Sequence, residues 1–383
     1  MSDNYMLTDE QKMVKKTVRR MAQEKIAPIA AVIDETGEFS QDIHTQFKKL
    51  GLFGLSFPET YGGSDMGIIS AALVLEEIGR VCSSSAIICA SPIAVGRIIL
   101  EYGKDEQKDR YLPQIASGEN TGAIALSEPE AESDIDRITT RAEKRGEQYV
   151  ITGRKSFVDR ADVAGFITVF AGNDNSRESI SVSVFIVEKD TPGWSIDHTV
   201  EKMGTQAIHA CELIFDGCSI PKKNILGQEG EGDVIAAKVL GLNCVVTAAR
   251  ALGIAQGALD YALNYTQERI QFGRPVASFQ GIQFMLADMA TQIEAGRYLL
   301  YKACAEIDRG EEEGYYSGSM AKCFLSDTAM KVTTDAVQLL GGYGYMKDHP
   351  VERMMRDAKL TQLEEGTNRS QRLALASEML RKK

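Results

Sequence analysis

Five short runs rich in β-branched and aromatic residues decide the fold class of this chain: AIAL at 123–126, YVIT at 149–152, FITVF at 166–170, VSVFIV at 182–187 and ELIF at 212–215. Turn-forming glycines bound these runs, among them Gly146, Gly153, Gly172 and Gly217. Closely spaced strands without intervening helices predict an antiparallel barrel or sandwich, and they argue against a dinucleotide-binding sheet.

The regions on either side of these strands have helical periodicity. Thr8 followed by Gln11 is a capping-box pattern, which predicts a helix start. On the C-terminal side, apolar residues recur at helical spacing from Phe279 to Ile293. The sequence therefore predicts an α+β multidomain chain with an N-terminal α-helical domain (1–118), a middle antiparallel β domain (119–228) and a C-terminal helical bundle (229–383).

Composition narrows the class of function. The 383 residues exceed one ordinary core, and 44% hydrophobic with 25% charged residues is the balance of a globular chain. Lys plus Arg is 43 and Asp plus Glu is 54, so the net charge is −11. This charge argues against nucleic acid or an anionic membrane as a partner. The sequence lacks a run of about 18 uninterrupted apolar residues, so we expect no membrane span.

Cysteine and histidine usage bears on location and metals. The seven cysteines are odd in number and none forms a C-x-x-C pair, which predicts reduced thiols in a reducing compartment, here the cytoplasm. Only four histidines are present, so we expect no metal site. The polar, acidic start, MSDN, is unlike a signal peptide.

Two loops could bind a ligand through hydroxyls or guanidinium groups. The loop 126–134 offers Ser127 and Ser133; the alternative is a solvated turn. The loop 268–275 places Arg269 and Arg274 around a glycine, where they could hold a pyrophosphate. The alternative for this second loop is an ordinary helix–helix turn with exposed charges.

Two further segments combine glycines with polar residues. Three glycines between 341 and 344 could let another backbone approach, or could only end a helix. Glu365 lies directly before Gly366 and Thr367, at the mouth of a predicted helix, where it could act as a base over a substrate. The alternative is that Thr367 caps that helix and the carboxylates favour its dipole.

In this order and spacing, the four segments resemble the flavin-dependent acyl-CoA dehydrogenase family. The resemblance extends to PETYGG at 58–63, to Met203-Gly204 and to 221–232, and so covers nearly the whole chain. Its most specific part is the run QLLGGYGYMKDHPVERMMRD at 338–357.

The resemblance implies a three-domain fold with a four-helix-bundle-like C-terminal domain, as a homotetramer. It implies an oxidoreductase acting on CH–CH groups: FAD-dependent α,β-dehydrogenation of an acyl-CoA substrate, with an electron-transfer flavoprotein as the acceptor. Residue by residue, Glu365 matches the base that removes the α-proton while a hydride passes to flavin N5. The cofactor-binding positions are Ser127, Phe157, Asp159, Arg269, Phe272, Gln280, Gln338, Gly341, Gly342 and Thr367, and the substrate-binding positions are Ser133 and Gly366.

The sequence departs from the family pattern around the flavin. Glu130 and Glu132 add negative charge to a loop that is usually small and glycine-rich. Phe157 can still stack on the flavin ring. Asp159 replaces a hydroxyl expected near flavin N5, and its carboxylate would disfavour a reduced, anionic flavin unless Arg160 pairs with it.

Departures also occur around the base. Asn243 and Cys244 occupy a stretch where many relatives have an active-site arginine, and Arg250, about two turns away, is a doubtful substitute. Glu364 replaces an aromatic residue; it either raises the pKa of its neighbour or points to solvent. These changes suggest an acyl group that is cyclic, branched or carries a second functional group. The alternatives are a modified flavin reaction on an unusual acyl-CoA, or a catalytically silent subunit or CoA-binding protein.

Overall fold

Helices form the N-terminal part of the computed structural model, which describes residues 7–131, 137–173, 181–364 and 366–381. The helices are α1 (Asp9–Met21), α2 (Ala30–Thr36), α3 (Gln41–Lys49), α4 (Gly67–Gly79), α5 (Ser83–Tyr102) and α6 (Asp105–Ala116). The predicted capping box of α1 is confirmed: the Gln11 N–H donates to Thr8 Oγ1 at 3.2 Å, and the Thr8 N–H donates to Gln11 Oε1 at 2.9 Å.

A mainly antiparallel sheet forms the middle of the chain. Its strands are β1 (Gly122–Ala125), β2 (Arg141–Arg145), β3 (Gln148–Asp159), β4 (Phe166–Asn173), β5 (Val182–Glu188), β6 (Trp194–Val200), β7 (Ala210–Pro221) and β8 (Ile225–Leu226). The order is β6-β7-β3-β2-β4-β5-β8, and β1 and β2 each pair with β4 in parallel. All five predicted runs lie on strands, except that Leu126, the last residue of the first run, lies just past β1.

Long helices return after the sheet. They are α7 (Gly232–Glu268), α8 (Gln280–Asp308), α9 (Glu313–Leu340), α10 (Val351–Thr361) and α11 (Asn368–Arg381), with a small hairpin of β9 (Ile270–Gln271) and β10 (Arg274–Pro275) between α7 and α8. Helix α9 packs against α7, α8, α10 and α11 to form the bundle, and α4 packs on α7 and α8. The predicted domain boundaries at 118 and 228 remain a prediction.

A shared apolar core joins the three parts. Phe166 and Phe170 of β4 belong to one cluster with Val95 of α5, Leu112 of α6 and Val239 of α7. Burying these side chains fixes α5 and α7 against one face of the sheet. The cavity described below lies between those same elements.

The PETYGG stretch at 58–63 is a tight turn next to this core. Gly62 has a φ of +79°, which favours glycine. A Cβ on Gly63 would lie 2.1 Å from the carbonyl oxygen of Phe57. The second glycine is therefore required by close backbone packing, and this part of the motif serves the fold.

Two helices are long and apolar enough to cross a membrane, α5 and α7. Within their most apolar windows, 83% and 72% of the residues are buried inside the protein. Such burial is typical of core helices, so the two helices are weak evidence for a membrane span.

All seven cysteines are free and buried: Cys82, Cys89, Cys211, Cys218, Cys244, Cys304 and Cys323. Burial raises the pKa of Cys89 to about 12 and that of Cys218 to about 11, because an apolar environment penalises the thiolate. These thiols are packing residues.

Candidate functional site

A cavity of about 940 Å³ lies between α5, the loop after β1, the end of β3, α7 and the chain around α11. Five of the predicted site residues line it: Ser127, Phe157, Asp159, Gly366 and Thr367. The fold thus brings together residues that lie more than two hundred positions apart in the sequence. A cavity of this size can hold a large organic ligand.

An irregularity in β3 shapes one wall of the cavity. The pairing of β3 with β7 shifts register between Lys155 and Val158, so the residues between them leave the ladder. Phe157 takes a φ of +54° and its side chain is 64% exposed. The buried hydroxyl of Ser156 also lines the cavity and has no hydrogen-bond partner among the described residues. The wall therefore offers an open aromatic surface beside an unsatisfied hydroxyl.

A buried ion pair holds the loop after β1 in place. Lys155 Nζ lies 2.8 Å from Glu128 Oε1, and both side chains are almost fully buried. Lys155 also donates to the Leu126 carbonyl, and Glu128 accepts from the backbone N–H groups of Thr139 and Thr140. Burial raises the pKa of Glu128, but the Lys155 charge and these hydrogen bonds outweigh it and bring that pKa to about 2. The loop is anchored on this side, and the alternative of a solvated turn is wrong for Glu128.

Asp159 lies at the cavity among positive groups. Burial lowers the pKa of Arg160, and the carboxylates of Asp162 and Asp159 act in the opposite direction, in that order. Burial also lowers the pKa of Lys202, and Asp159 is the carboxylate that most opposes it. Asp159 therefore acts electrostatically on both Arg160 and Lys202, and on Arg160 less than Asp162 does.

The Met203-Gly204 segment is tied to the bundle through a buried carboxyl. The Thr205 N–H donates to Asp357 Oδ1 at 2.7 Å, and a Cβ on Gly204 would lie at 2.7 Å from the same oxygen. The pKa of Asp357 is raised to about 6, mainly by burial and also by the nearby charge of Asp34. The Thr205 N–H, Arg353 and Arg356 lower this pKa, but by less. This contact positions a cavity wall, since residues 203–205 line the cavity.

We expect Asp357→Asn to remove a pH dependence of stability. The native pKa lies above the unfolded one, so between the two the native state binds more protons and the free energy of unfolding falls as pH rises. From pH 5 to pH 7 the wild type should lose about 1 kcal/mol relative to the variant. Urea denaturation of both proteins at three pH values measures this, and parallel stabilities would contradict it.

Arg250 and Glu364 form an ion pair at the cavity, and both line it. Arg250 is 3% exposed and the Glu364 side chain 14%. Arg250 therefore lies at the cavity, although its part as a substitute for the family's active-site arginine stays a prediction. The alternative that Glu364 points to solvent is wrong. Seven residues are nearly two full helical turns, so Asn243 and Arg250 lie on the same face of α7. That spacing was the available signal; the partner of Arg250, 114 positions away, was not readable from the sequence.

A lysine of α9 holds the chain at Gly366 and Asn368 through hydrogen bonds. Lys322 is fully buried and its Nζ donates to the Gly366 carbonyl and to Asn368 Oδ1, each at 2.9 Å. The Ser370 N–H donates to Thr367 Oγ1 at 3.2 Å, so Thr367 caps α11 while it also lines the cavity. The sequence did not indicate Lys322. Glu365, Ser133 and Glu132 lie outside the described residues.

The remaining predicted cofactor residues lie elsewhere, at one exposed end of the bundle. Arg269 ends α7, and its guanidinium lies 5.3 Å from the ring centre of Tyr343, next to the glycine turn. None of these residues lines the cavity. Arg269 is half-buried, and the others are exposed: Phe272, Gln280, Gln338, Gly341 and Gly342. Gly341, with a φ of +62°, ends α9, as the helix-end alternative proposed.

A second hollow, of about 540 Å³, is open to solvent between α8, α9 and α11 and holds none of the predicted site residues. In the described part of the chain, no three His, Cys, Asp or Glu side chains are grouped so that they could hold a metal ion.

Three family models match this chain in sequence order. The acyl-CoA dehydrogenase N-terminal domain matches residues 8–119, the middle domain 123–218 and the C-terminal domain 230–380.

Curated relatives match over almost the full length. The chain is 46% identical to the cyclohex-1-ene-1-carbonyl-CoA dehydrogenase of Geobacter metallireducens, over 98% of this chain and 99% of the relative. It is 44% identical to an acyl-CoA dehydrogenase of Bacillus subtilis, over 98% and 99%. An acryloyl-CoA reductase (NADH) of Anaerotignum propionicum is 39% identical, over 99% and 96%.

Solved structures share the fold. The butyryl-CoA dehydrogenase of Megasphaera elsdenii superposes with a TM-score of 0.95 at 37% identity, over 98% of this chain and 100% of that one. A chain from a structure of the electron transferring flavoprotein of Acidaminococcus fermentans gives a TM-score of 0.95 at 41% identity, with both chains fully covered.

Proposed function

The chain belongs to the acyl-CoA dehydrogenase family, and from this we propose that it oxidises its acyl-CoA with FAD as the cofactor and Glu365 as the base. It is an oxidoreductase that dehydrogenates an acyl-CoA and passes the electrons on, as the sequence predicted. The predicted family and fold class are likewise confirmed.

The described residues fit a flavin, and the family is one of flavoproteins. Phe157 offers an exposed aromatic face to a planar ring, and the buried Ser156 hydroxyl needs a partner that a polar ring edge would supply. Ser127 and Thr367 add hydroxyls on the same cavity. When bound, FAD supplies the acceptor for the β-hydrogen, which leaves as hydride.

The observation that carries the choice of base is that both sequence neighbours of position 365 line this cavity, Glu364 and Gly366. A thioester α-proton is a weak acid, so its removal needs a carboxylate held at the carbon and hydrogen bonds to the thioester oxygen where water is excluded. Burial beside an apolar acyl group raises the pKa of such a base toward working pH. We assign this role to Glu365.

The acyl group is proposed to lie along α5. Ala90, Ser91 and Ala94 of this helix line the cavity, and their small side chains leave room for bulk. We keep Ser133 as a CoA-binding position on the strength of the resemblance, and CoA would then enter from the side of Ser127. Room for bulk supports an acyl group that is branched, cyclic or substituted.

The electron acceptor and the assembly are part of the same proposal. We propose an electron-transfer flavoprotein as the acceptor and a homotetramer in the cytoplasm. The exposed set Arg269, Phe272, Gln280, Gln338, Gly341 and Gly342 supports a shared cofactor site, because these residues lie away from the cavity of their own chain. Seven buried free thiols support a reducing compartment.

Anaerobic titration of the purified protein with acyl-CoA esters tests the function. The protein should be yellow, and a panel of straight, branched, cyclic and hydroxylated acyl-CoA esters should include at least one that bleaches the flavin absorbance. Electron-transfer flavoprotein should then restore the colour. A yellow protein that no ester bleaches would favour a modified flavin reaction, and a colourless protein that takes up no FAD would favour a silent or CoA-binding relative.

A further inference from the structure

Helix α7 presents polar side chains to the cavity. Asn243, Thr247 and Arg250 are spaced by four and three residues, so they share one helical face, and all three line the cavity. Each is buried, with 3% to 6% of its surface exposed. Polar groups this deep in a protein are kept where they have partners.

Arg250 is the centre of a fixed polar cluster. Its guanidinium pairs with the Glu364 carboxylate and donates to Ser83 Oγ at 3.2 Å, and Ser83 is the first residue of α5. Thr247 Oγ1 donates to the same Glu364 carboxylate at 3.3 Å. The cluster joins α7, α5 and the chain before Gly366.

Helix α5 contributes mainly small or apolar side chains to the cavity. Ile87, Ala90, Ala94 and Val95 line the cavity with small or apolar side chains. Ser91 is the one polar side chain that α5 adds to this lining, and Val239, Leu240 and Val246 of α7 line the cavity as well. The Arg250–Glu364 pair is therefore a charged patch among mainly apolar side chains of the two helices.

An ion pair at a ligand cavity discriminates between ligands through its hydration. The Glu364 side chain, 14% exposed against 3% for Arg250, is the part of the pair that water or a ligand can reach. A saturated acyl chain at that point would remove water from the carboxylate and return no hydrogen bond, which is unfavourable. A hydroxyl or keto group would replace that water. A carboxylate would be attracted by Arg250 and repelled by Glu364, so an uncharged polar group fits this wall best.

We propose that the Arg250–Glu364 pair, with Thr247, selects acyl groups that carry an uncharged hydrogen-bonding substituent beyond the β-carbon, such as a hydroxyl or a keto group. This specificity rests on the proposed function, because it concerns the acyl part of the same substrate.

The test compares kcat/KM for hexanoyl-CoA, its 4-, 5- and 6-hydroxy derivatives, adipoyl-CoA and cyclohexane-1-carbonyl-CoA, all of which carry an α-proton. The best hydroxyacyl ester should exceed hexanoyl-CoA by about tenfold, the worth of one such hydrogen bond. Adipoyl-CoA, with its terminal carboxylate, should rank below that ester. The affinities of the corresponding 2-enoyl-CoA products, measured by calorimetry, should follow the same order without turnover.

Arg250→Met combined with Glu364→Leu removes both charges together, so that neither is left unpaired. This double variant should prefer hexanoyl-CoA by a similar factor. The matched control is Arg80→Met with Asp260→Leu, which removes another ion pair of α7, one whose residues do not line the cavity, and should keep the wild-type order. Thr247→Val is a milder variant in case the double variant does not fold, and it should weaken the preference about threefold.

A wild type that prefers hexanoyl-CoA, adipoyl-CoA or the unsubstituted ring would overturn the inference. So would a double variant with an unchanged preference. In each of these cases an acyl-CoA still bleaches the flavin, so the proposed function survives. If no ester bleaches it, the proposed function itself fails.

Discussion

Glu365→Gln should leave the protein yellow and slow its bleaching by the preferred acyl-CoA by about 10³-fold or more, the upper part of what a general base contributes. The amide keeps the size of the side chain but cannot take the α-proton. Stopped-flow absorbance under anaerobic conditions measures the bleaching rate, and the visible spectrum before mixing shows that the cofactor is retained.

Glu364→Gln is the matched control for this measurement, because it makes the same change at the neighbouring position. Arg250 pairs with the Glu364 carboxylate and Thr247 donates to it, so this carboxylate is already engaged by two partners of its own chain. We expect its amide variant to bleach within about tenfold of the wild type. If Glu364→Gln were the slower variant of the two, the base would be assigned to the wrong carboxylate.

Lys322→Met should lower the free energy of unfolding by about 3 kcal/mol, a typical cost of breaking a buried charged contact. Lys322 is fully buried, and its ammonium donates to the Gly366 carbonyl and Asn368 Oδ1. Methionine fills a similar volume but leaves both oxygens without this donor. Because Gly366 lines the cavity, we also expect a slower bleaching rate.

Lys331→Met is the control for this effect on the same helix. Lys331 is about half exposed and pairs with Asp335 one turn away. An exposed pair of this kind contributes only a few tenths of a kcal/mol, roughly 0.5 at most. Urea denaturation of both variants measures the contrast. A loss below about 1 kcal/mol in Lys322→Met would mean that the segment after Glu364 does not depend on this lysine.

The strands that the sequence revealed are those with apolar alternation or burial on both faces. β4 and β5 are almost wholly buried, and their runs of Val, Ile and Phe stand out. β2 reads RAEKR and β6 reads WSIDHTV; both are largely exposed, so neither has a hydrophobic pattern to detect. They form because neighbouring strands offer backbone hydrogen-bond partners. Those neighbours are set by the tertiary fold and are not visible in the local sequence.

Site residues that belong to a family motif were predictable from the sequence. Site residues whose partner lies far away in the sequence were not. The family resemblance predicts Ser127, Phe157 and Thr367 as cofactor residues, and all three line the cavity. The partners Arg250–Glu364 and Lys155–Glu128 lie 114 and 27 positions apart, and no local pattern announces either pair. Arg250 lies about two turns from Asn243 along α7, and two turns return a side chain to the same face of the helix.

The buried thiols can serve as internal probes of local and global unfolding. Cys89 lies on α5, Cys218 on β7 and Cys323 on α9, so each of the three structural regions contains at least one. A shielded, protonated thiol resists alkylation until the surrounding structure opens. Brief pulses of an alkylating reagent, followed by peptide mass spectrometry, would therefore report the order in which helices and sheet come apart, without a label being introduced.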